Sequence, residues 1–299
     1  DVSHGEIGAV YKGPYPSGAP AIFIDSVARM TKPFKFSTGY IGVVGNDEFG
    51  RCIIEKMEKD GIDTSCIRIE KQLTTGIAFN QYNSDGSRKF IFSAGAAGHT
   101  SVDDVSKDYF SDIKVLHIMG SALSISKQSR NACYKALKIA KNQNPDVIIS
   151  FDPNLRPEML DIETILDISE PILKETTILL PSGEEAEMLA RIEGEKEACY
   201  NLLENGPDLI VLKQGSDGCR IFSKKENEVI KIPAYKVQEI DPTGAGDSFG
   251  GAFIVGFLNG WDLYEIGKFA NAVGALKVRN FGPMSNDSYE EVRAFMEQT

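Results

Sequence analysis

From residue 113 onward, runs of Val, Ile and Leu that are typical of buried strands alternate with amphipathic helical segments. The predicted strands are residues 115–119, 147–151, 177–180 and 209–212, and the helices between them are residues 127–141, 162–173 and 184–192. Apolar strands that are joined through helices are typical of a mostly parallel sheet covered by helices on both faces. This alternation predicts an α/β fold with three layers, and no other feature constrains the fold as strongly.

The segment before residue 113 predicts a small β element attached to this α/β body. Residues 76–93 contain two strand-like arms on either side of a turn at residues 83–86, and the arms alternate apolar and polar side chains. Such a hairpin has one covered face and one face that is open to solvent or covers a ligand. The other predicted elements are helices at residues 21–30, 49–60, 249–258, 264–278 and 289–296, and strands at residues 36–44, 67–70 and 236–240.

Composition excludes several classes of protein. The 299 residues carry a net charge of −11 without a basic stripe, which argues against nucleic acid as a partner. No apolar run approaches the length of about 18 residues that a membrane helix needs, and no signal peptide is visible. The five cysteines are scattered and fit no metal-binding spacing, which indicates reduced thiols in a cytoplasmic protein. The length suits a single domain over residues 1–299.

Residues 241–247, Asp-Pro-Thr-Gly-Ala-Gly-Asp, are the candidate catalytic loop. The small residues Gly244 and Gly246 let backbone N–H groups surround an anion, and the loop leads into a predicted helix N-terminus, which favours phosphate. A carboxylate fixed beside a phosphate, as Asp247 would be, can accept the proton of an attacking hydroxyl. The alternative interpretation is a glycine-rich turn in which Asp247 only caps the helix.

Other motifs either fail or extend this site. No Walker A sequence, strict G-x-G-x-x-G fingerprint or H-E-x-x-H pair occurs. His117 lies in a predicted strand, which favours a core or edge histidine over a catalyst. Polar or glycine-rich segments follow three more predicted strands, at residues 152–156, 181–185 and 213–218. Because ligands bind beyond the carboxyl ends of parallel strands, these segments and the 241–247 loop predict one site at one edge of the sheet.

The string Asp-Pro-Thr-Gly-Ala-Gly-Asp-Ser-Phe at residues 241–249 closely resembles the C-terminal signature of the ribokinase-like (PfkB) carbohydrate kinases. Segments at residues 17–21, 44–50, 151–156 and 211–218 resemble further family motifs in the same order. The motifs are most similar to those of the fructokinase and 2-keto-3-deoxygluconate kinase branch. The resemblance covers essentially the whole chain. It implies a ribokinase-like three-layer fold with a β-sheet lid, mainly residues 76–93 with part of residues 10–20.

The resemblance also implies an ATP-dependent sugar kinase and gives roles to individual residues. Asp247 would be the catalytic base, and the N–H groups of Gly244, Ala245 and Gly246 would hold the transferred phosphoryl group. The other implied contacts are Glu185 with Mg²⁺; Asp241 with a monovalent cation such as K⁺; Lys213, Gly215, Gly218, Thr243, Asn271 and Ala275 with ATP; and Gly18, Ala19, Asn46, Asn154, Arg156 and Tyr82 with the sugar.

Departures from the family pattern lead to further expectations. Ser182 stands where the family's Mg²⁺ motif has asparagine, and Ile22 stands where the sugar-binding loop has asparagine. The family begins with a strand that carries a Gly-Glu pair, whereas residues 1–9 are polar and not strand-like. We therefore expect that this first strand is missing from the chain. Relatives often pair two subunits through the lid, which implies a homodimer.

The identity of the sugar is constrained only weakly. Ser93 lies near the place in the second lid strand where 2-keto-3-deoxygluconate kinases tend to have an arginine, which favours a neutral hexose or ketose. Arg88 and Lys89 are close enough in sequence to substitute, so a keto-deoxy acid stays open. The aromatic residues of the lid leave a nucleoside kinase open, and a non-catalytic sugar or nucleotide sensor is the remaining alternative.

Overall fold

The computed structural model describes residues 12–82, 88–225 and 228–298. Within them the strands are β1 (Thr38–Gly39), β2 (Gly42–Gly45), β3 (Ile62–Asp63), β4 (Ile67–Glu70), β5 (Ile77–Tyr82), β6 (Arg88–Ser93), β7 (Val115–Met119), β8 (Ile148–Asp152), β9 (Ile178–Leu179), β10 (Leu209–Lys213), β11 (Cys219–Ser223) and β12 (Ile230–Ile232). The helices are α1 (Ala19–Thr31), α2 (Glu48–Asp60), α3 (Gly120–Ser124), α4 (Lys127–Gln143), α5 (Ile162–Leu173), α6 (Glu185–Ala190), α7 (Glu195–Glu204), α8 (Ala245–Leu258), α9 (Leu263–Val278) and α10 (Tyr289–Gln298). None of these helices is both long enough and apolar enough to cross a bilayer.

The centre of the fold is a six-stranded sheet in the order β12-β11-β10-β9-β8-β7. Strands β7 to β10 run parallel, and β11 and β12 are added antiparallel at one end. Among the described residues, two-stranded sheets are also formed by β1 with β3, β2 with β4, and β5 with β6. The antiparallel pair β5–β6 is the hairpin that the sequence predicts at residues 76–93. A mostly parallel sheet with small separate sheets confirms the predicted α/β class.

Strand β10 shows how the sheet is buried on both faces. Leu209 and Val211 belong to the apolar cluster that contains residues of α1, α8, α9 and α10. Ile210 and Leu212 belong to the opposite cluster, which contains residues of α4, α5, α6 and α7. Successive side chains of a strand point to opposite faces, so a layer of helices covers each side of the sheet. The predicted three-layer arrangement is therefore confirmed.

Helices α1 and α8 approach closely because small residues lie between them. A Cβ atom at Gly251 would lie 2.6 Å from the carbonyl oxygen of Phe23, so a larger residue has no room there. The Ser26 hydroxyl donates to the carbonyl oxygen of Ser248 at 2.8 Å and joins the two helices inside the core. This packing fixes the N-terminal turn of α8, which follows the candidate catalytic loop.

Local signals set the ends of α2 as the sequence predicts. The Asp47 carboxylate accepts a hydrogen bond from the Gly50 N–H at 2.9 Å, which satisfies a donor that the helix itself leaves unpaired. The helix ends at Gly61, whose φ of 85° is in the left-handed region that favours glycine. The acidic first turn and the glycine stop were both readable from the sequence.

Some elements differ from the sequence-based expectation. Residues 236–240 form no strand, because the N–H groups of Ile240 and Asp241 donate instead to the Val278 carbonyl oxygen at 2.7 and 3.0 Å. The strand predicted at residues 36–44 is divided into β1 and β2. Helix α7 and strands β11 and β12 lie in segments that the periodicity leaves unassigned. These segments are short, and tertiary contacts determine their structure. For example, a tight turn over Gly215–Asp217 lets β11 fold back and pair with β10.

Candidate active site

The carboxyl ends of β8 and β10 and the N-terminus of α8 meet at one edge of the central sheet. A cavity of about 1790 Å³ opens beside them and is lined by residues of both β2 and β7. The predicted site residues that line the cavity are Gly18, Ala19, Asn154, Arg156, Asp241, Thr243, Gly244 and Asp247. The fold therefore brings the predicted sugar-binding loop, the β8 end and the catalytic loop to one place, as the strand-end argument expects.

The loop at residues 241–247 is held from beneath by Asp241. This carboxylate is buried, and its two oxygens accept hydrogen bonds from the N–H groups of Thr243 and Gly282, each at 2.9 Å. Gly244 then takes a φ of 81°, and a Cβ atom there would lie 2.2 Å from the Pro283 carbonyl oxygen. Both the backbone conformation and the close contact require glycine at this position.

The first turn of α8 adjoins the cavity through Asp247 and leaves backbone donors unpaired. The N–H groups of Gly246 and Asp247 have no acceptor among the described residues, as expected for the start of a helix. The N–H of Ala245 donates to the Pro242 carbonyl oxygen at 3.2 Å, so it is used inside the turn. Asp247 lies in this first turn and makes no capping bond, because the N-cap position is Gly244. The interpretation of Asp247 as a mere helix cap is therefore wrong.

A buried ion pair lies directly behind the loop. The Lys213 ammonium, at the end of β10, donates to the Asp152 carboxylate at the end of β8, with an N–O distance of 2.5 Å. A Cβ atom at Gly246 would lie 3.7 Å from the same ammonium, so Lys213 adjoins the first turn of α8. Burial disfavours the charged lysine, but the carboxylates of Asp152 and Glu185 outweigh it and raise the pKa of Lys213. The positive charge is therefore retained beside the loop.

Glu185 joins two of the strand-end segments. Its carboxylate oxygens accept hydrogen bonds from the N–H of Leu155 at 2.8 Å and from the N–H of Ser182 at 2.7 Å. Burial, together with the nearby Asp152 carboxylate, raises the pKa of Glu185. The serine at position 182, in place of the expected asparagine, leaves this arrangement intact. The hydrogen bond to Glu185 comes from the main-chain N–H of Ser182 and not from its side chain.

Asp247 has the electrostatic properties of a general base that works near neutral pH. Burial raises its pKa from 3.8 to about 7, and the Asp152 carboxylate adds to this effect, while Lys213 and Arg156 oppose it. A base is most effective when its pKa lies close to the working pH, since it is then both available and basic enough to accept a proton. Asp247 therefore combines a position in the cavity with a pKa that suits proton transfer near neutral pH.

Two amide oxygens in the cavity have no partner among the described residues. They belong to Asn80 on β5 and to Asn154, and both are buried. The Asn80 side chain also donates to the Thr243 hydroxyl at 3.1 Å, which ties the hairpin to the catalytic loop. Asn154 has a φ of 39°, an uncommon backbone conformation of the kind that concentrates at functional sites. Buried unpaired acceptors are costly, so these oxygens are suited to receive hydroxyl donors from a ligand.

Sequence reasoning missed Asn80 and Asp152 as site residues. The alternation within the hairpin was the available signal for Asn80. Asn80 is two residues from Tyr82, a predicted sugar contact, and residues two apart in a strand belong to the same face. Tyr82 itself ends β5, and its side chain lies outside what the structure describes. Asp152 was recognised within a polar segment, but its pairing with Lys213 follows from the sheet order rather than from sequence proximity.

Several predicted residues lie away from the cavity. Asn46 is exposed, and its N–H pairs with the Glu70 carbonyl oxygen at 3.0 Å. Gly218 belongs to the turn after β10, where a Cβ atom would lie 2.1 Å from the Ile232 carbonyl oxygen. The Asn271 amide donates to the carbonyl oxygens of Ile232 and Pro233 at 3.3 and 3.1 Å. The predicted nucleotide residues Gly215, Gly218, Asn271 and Ala275 thus do not line the cavity, and Gly218 and Asn271 both lie against the segment that follows β12.

His117 is an edge histidine, as the sequence predicts. It lies on β7, the last strand of the central sheet, and its Nδ1 is 2.9 Å from the Ser150 hydroxyl. Its ring stacks on Phe23 with the planes 4° apart. Burial, with the nearby Lys213, lowers its pKa to about 3, so it is neutral at physiological pH.

Comparison with known proteins shows the family to which the chain belongs. Residues 16–289 match the pfkB family of carbohydrate kinases, and the chain belongs to that family. It is similar to probable fructokinase-5 of Arabidopsis thaliana, with 32% identity over 272 residues that cover 87% of this chain and 81% of the relative. It is also similar to a 5-dehydro-2-deoxygluconokinase of Clostridium perfringens, with 31% identity over 272 residues that cover 88% of this chain and 78% of the relative.

Solved structures agree with the family. A putative ribokinase II of E. coli, crystallised in complex with ATP and Mg²⁺, is 38% identical with a TM-score of 0.91, and the alignment covers 100% of this chain and 94% of that one. A ribokinase of Thermotoga maritima is 26% identical with a TM-score of 0.79, covering 99% and 94% of the two chains. The ribokinase-like fold and the predicted class of sugar kinase are confirmed.

Proposed function

We propose that the chain transfers the γ-phosphoryl group of ATP to a hydroxyl of a neutral hexose or ketose. The observation that carries the proposal is the position of Asp247. Its carboxylate, with a pKa raised to about 7, lines the cavity beside free helix N–H groups and the Lys213 ammonium. The E. coli neighbour crystallised with ATP and Mg²⁺ supports the choice of nucleotide and metal.

Each group of the site has a part in the transfer. Asp247 accepts the proton as the sugar oxygen forms its bond to phosphorus, while the bond from phosphorus to the leaving oxygen of ADP breaks. The N–H groups of Gly244, Gly246 and Asp247 and the Lys213 ammonium would face the charge that spreads over the transferred group. The expected ATP contacts at Gly215, Gly218, Thr243, Asn271 and Ala275 remain part of the proposal.

Magnesium would be held by Glu185 and Asp152 together with the nucleotide. The described residues contain no cluster of three or more His, Cys, Asp or Glu side chains that could hold a metal ion. Mg²⁺ usually keeps several waters and binds substrate phosphates, so Glu185 and Asp152, whose oxygens already accept hydrogen bonds, would hold it through its waters. When bound, the ion neutralises phosphate charge. The monovalent cation expected beside Asp241 is not part of this proposal, because an ammonium group of the chain itself lies there.

The cavity favours a neutral polyhydroxy substrate. The two unpaired amide oxygens of Asn80 and Asn154 accept hydrogen bonds and would repel a carboxylate. Ser93, which lies near the expected position of the arginine in 2-keto-3-deoxygluconate kinases, lines the cavity as a small neutral residue. The predicted sugar contacts at Gly18, Ala19 and Arg156 lie in the same cavity. The 5-dehydro-2-deoxygluconokinase similarity keeps a keto-deoxy acid as the second candidate, and a nucleoside is the third.

A panel of acceptors tests this proposal. ADP release would be measured with neutral hexoses, ketoses, aldonic and keto-deoxy acids and nucleosides, each with MgATP. We expect the highest kcat/KM for a neutral hexose or ketose. Asn80→Ala should lower kcat/KM for that sugar, whereas Asn205→Ala, at the end of α7, should not. Preference for an acid or a nucleoside would refute the choice of sugar, and no stimulation by any acceptor would refute the transfer itself.

We also propose that the β5–β6 hairpin pairs two subunits. Phe79 and Ile91 are opposite each other in the hairpin register and are 38% and 52% exposed. Burial of such an apolar pair between two copies would stabilise a dimer. Light scattering after size exclusion should give twice the chain mass for the parent and for Met188→Glu, an exposed control on α6, and the monomer mass for Ile91→Glu. A monomeric parent would contradict the proposal.

A cytoplasmic location is proposed on the state of the cysteines. Cys52, Cys66, Cys133, Cys199 and Cys219 are all free thiols. Free thiols persist in reducing compartments, whereas oxidising ones favour disulfides. Fractionation of cells that make the protein, with detection in the cytoplasmic fraction, is the direct check.

A further inference from the structure

A lysine ammonium is buried beneath the catalytic loop. Lys277, in the last turn of α9, is fully buried, with 0% of its surface exposed. Its Nζ donates to the carbonyl oxygen of Asp241 at 2.7 Å and to the carbonyl oxygen of Asn280 at 3.4 Å. A buried ammonium is costly unless it is closely paired, so this group is held by specific contacts and is not there by chance.

The ammonium joins the two segments that shape the anion-binding turn. Asp241 begins the catalytic loop, and its carboxylate holds the N–H groups of Thr243 and Gly282. Asn280 begins the segment that reaches Pro283, whose carbonyl oxygen contacts Gly244. A cation placed between the carbonyl oxygens of 241 and 280 therefore fixes the distance between the loop and its support. The conformation of Gly244 depends on that distance.

The residues present do not suit a mobile monovalent cation at this place. Such a cation beside Asp241 would need oxygen ligands from the loop and from its neighbouring segment. The carbonyl oxygens of Asp241 and Asn280 already accept hydrogen bonds from Lys277, and the Asp241 carboxylate oxygens accept them from Thr243 and Gly282. An ammonium is itself a monovalent cation that such oxygens bind, and this one is covalently attached.

We propose that Lys277 is a positioning residue that acts as a tethered monovalent cation and makes the kinase independent of K⁺. The ammonium holds residues 241–244 in the shape that presents the N–H groups of the turn to the phosphoryl group. It does not touch the substrate. The inference rests on the proposed phosphoryl transfer, so its test includes readouts that do not need a sugar.

The test compares four proteins in KCl and in tetramethylammonium chloride at equal ionic strength. They are the parent, Lys277→Met, Lys277→Arg and Lys268→Met, a control on a partly exposed lysine of the same helix. The readouts are ATP affinity by calorimetry, the melting temperature and, with the sugar substrate, kcat and KM. Calorimetry and melting report on the loop even if the acceptor sugar is misassigned.

For the parent and for Lys268→Met we expect less than a twofold change in kcat and in ATP affinity when K⁺ is removed. Lys277→Met should lose at least tenfold in kcat without K⁺, with KM for the sugar changed less than threefold. Addition of K⁺ or NH₄⁺ should restore part of this loss, because the ion can enter the vacated place. Lys277→Arg, which keeps the charge, should lie between the parent and Lys277→Met.

If Lys277 had only a structural role, Lys277→Met would lose stability and no particular cation would restore it. Rescue by K⁺ therefore distinguishes a tethered cation from a structural lysine. The proposal is overturned if the parent itself loses tenfold or more in kcat or ATP affinity without K⁺. This parent measurement needs no variant, so it decides the matter even if Lys277→Met does not fold. Parent-like kcat and melting of Lys277→Met without K⁺ would also overturn it.

Discussion

Replacing Asp152 by asparagine should move the pH dependence of the kinase towards acid. The pKa of Asp247 is raised from 3.8 to about 7, first by burial and then by the Asp152 carboxylate. This difference of about 3 pH units makes ionised Asp247 roughly 4 kcal/mol less favourable than a carboxylate in water, at about 1.4 kcal/mol per unit. Asp152→Asn keeps the shape of the side chain and removes the larger of the two carboxylate effects, the other being that of Glu185.

The substitution should lower the pKa of Asp247 in two ways. It removes a negative charge near Asp247, and it frees the Lys213 ammonium from its partner at 2.5 Å, so that Lys213 stabilises ionised Asp247 more strongly. One neighbouring charge typically changes a pKa by about 1–3 units, so we expect a decrease of at least about 1. Asp247 is active when ionised, so activity rises with pH through its pKa. The variant should therefore keep more of its own maximal activity at pH 6 than the parent does.

The assay is kcat/KM for the sugar from about pH 5 to pH 9, at saturating ATP and Mg²⁺, with each profile scaled to its own plateau. Because Asp152 is also proposed to hold Mg²⁺, the variant should lose activity at every pH, and scaling removes this general loss from the comparison. Asp208→Asn, which breaks an exposed ion pair with Lys224, is the control and should leave the profile unchanged. If the acid limb of the Asp152→Asn profile has an apparent pKa equal to or higher than that of the parent, the charge balance described for the site is refuted.

Further predictions concern the loop, the buried histidine and the metal. Gly244→Ala should lower kcat at least tenfold, whereas Gly260→Ala should not, although both have positive φ values (81° and 67°), because only Gly244 meets a neighbouring carbonyl oxygen. In urea unfolding, His117→Gln should lose less stability than the parent between pH 7 and pH 4.5. The unfolded histidine binds a proton below about pH 6.5 that the folded one, with a pKa of about 3, does not. Over the 2 units from 6.5 to 4.5 this costs the parent about 2.7 kcal/mol, and an equal loss in both proteins would contradict the assignment. EDTA should abolish turnover and excess Mg²⁺ should restore it, whereas full activity in EDTA would exclude the proposed metal.

The catalytic loop was predictable because its determinants are local. The left-handed conformation of Gly244, the short helix-leading segment and the carboxylate of Asp247 lie within a few residues of one another. The alternation of strands and helices was equally readable, since strand and helix periodicities differ and each element is buried on a defined face. These features were enough to predict the fold class and to nominate Asp247 as the candidate base.

The rest of the site could not be predicted because it is formed between distant segments. Lys213 and Asp152 are 61 residues apart in sequence, and Asn80 and Thr243 are 163 apart. Sheet order and hairpin placement bring them together, and neither is encoded in a local pattern. Lys277 shows the same limit, because a lysine near the end of a helix ordinarily points to water. Its burial follows only from the packing of α9 beneath the loop.

The turnover of Asp247→Asn, measured beside its affinity for ATP, tests directly whether Asp247 accepts the hydroxyl proton. Asparagine keeps the size of the side chain but cannot accept the hydroxyl proton, so kcat should fall by roughly 10²–10⁴. The dissociation constant for MgATP should stay within about threefold of the parent, because the N–H groups and Lys213 remain. Turnover within tenfold of the parent, in a variant that still binds ATP, would contradict the assignment of Asp247 as the base.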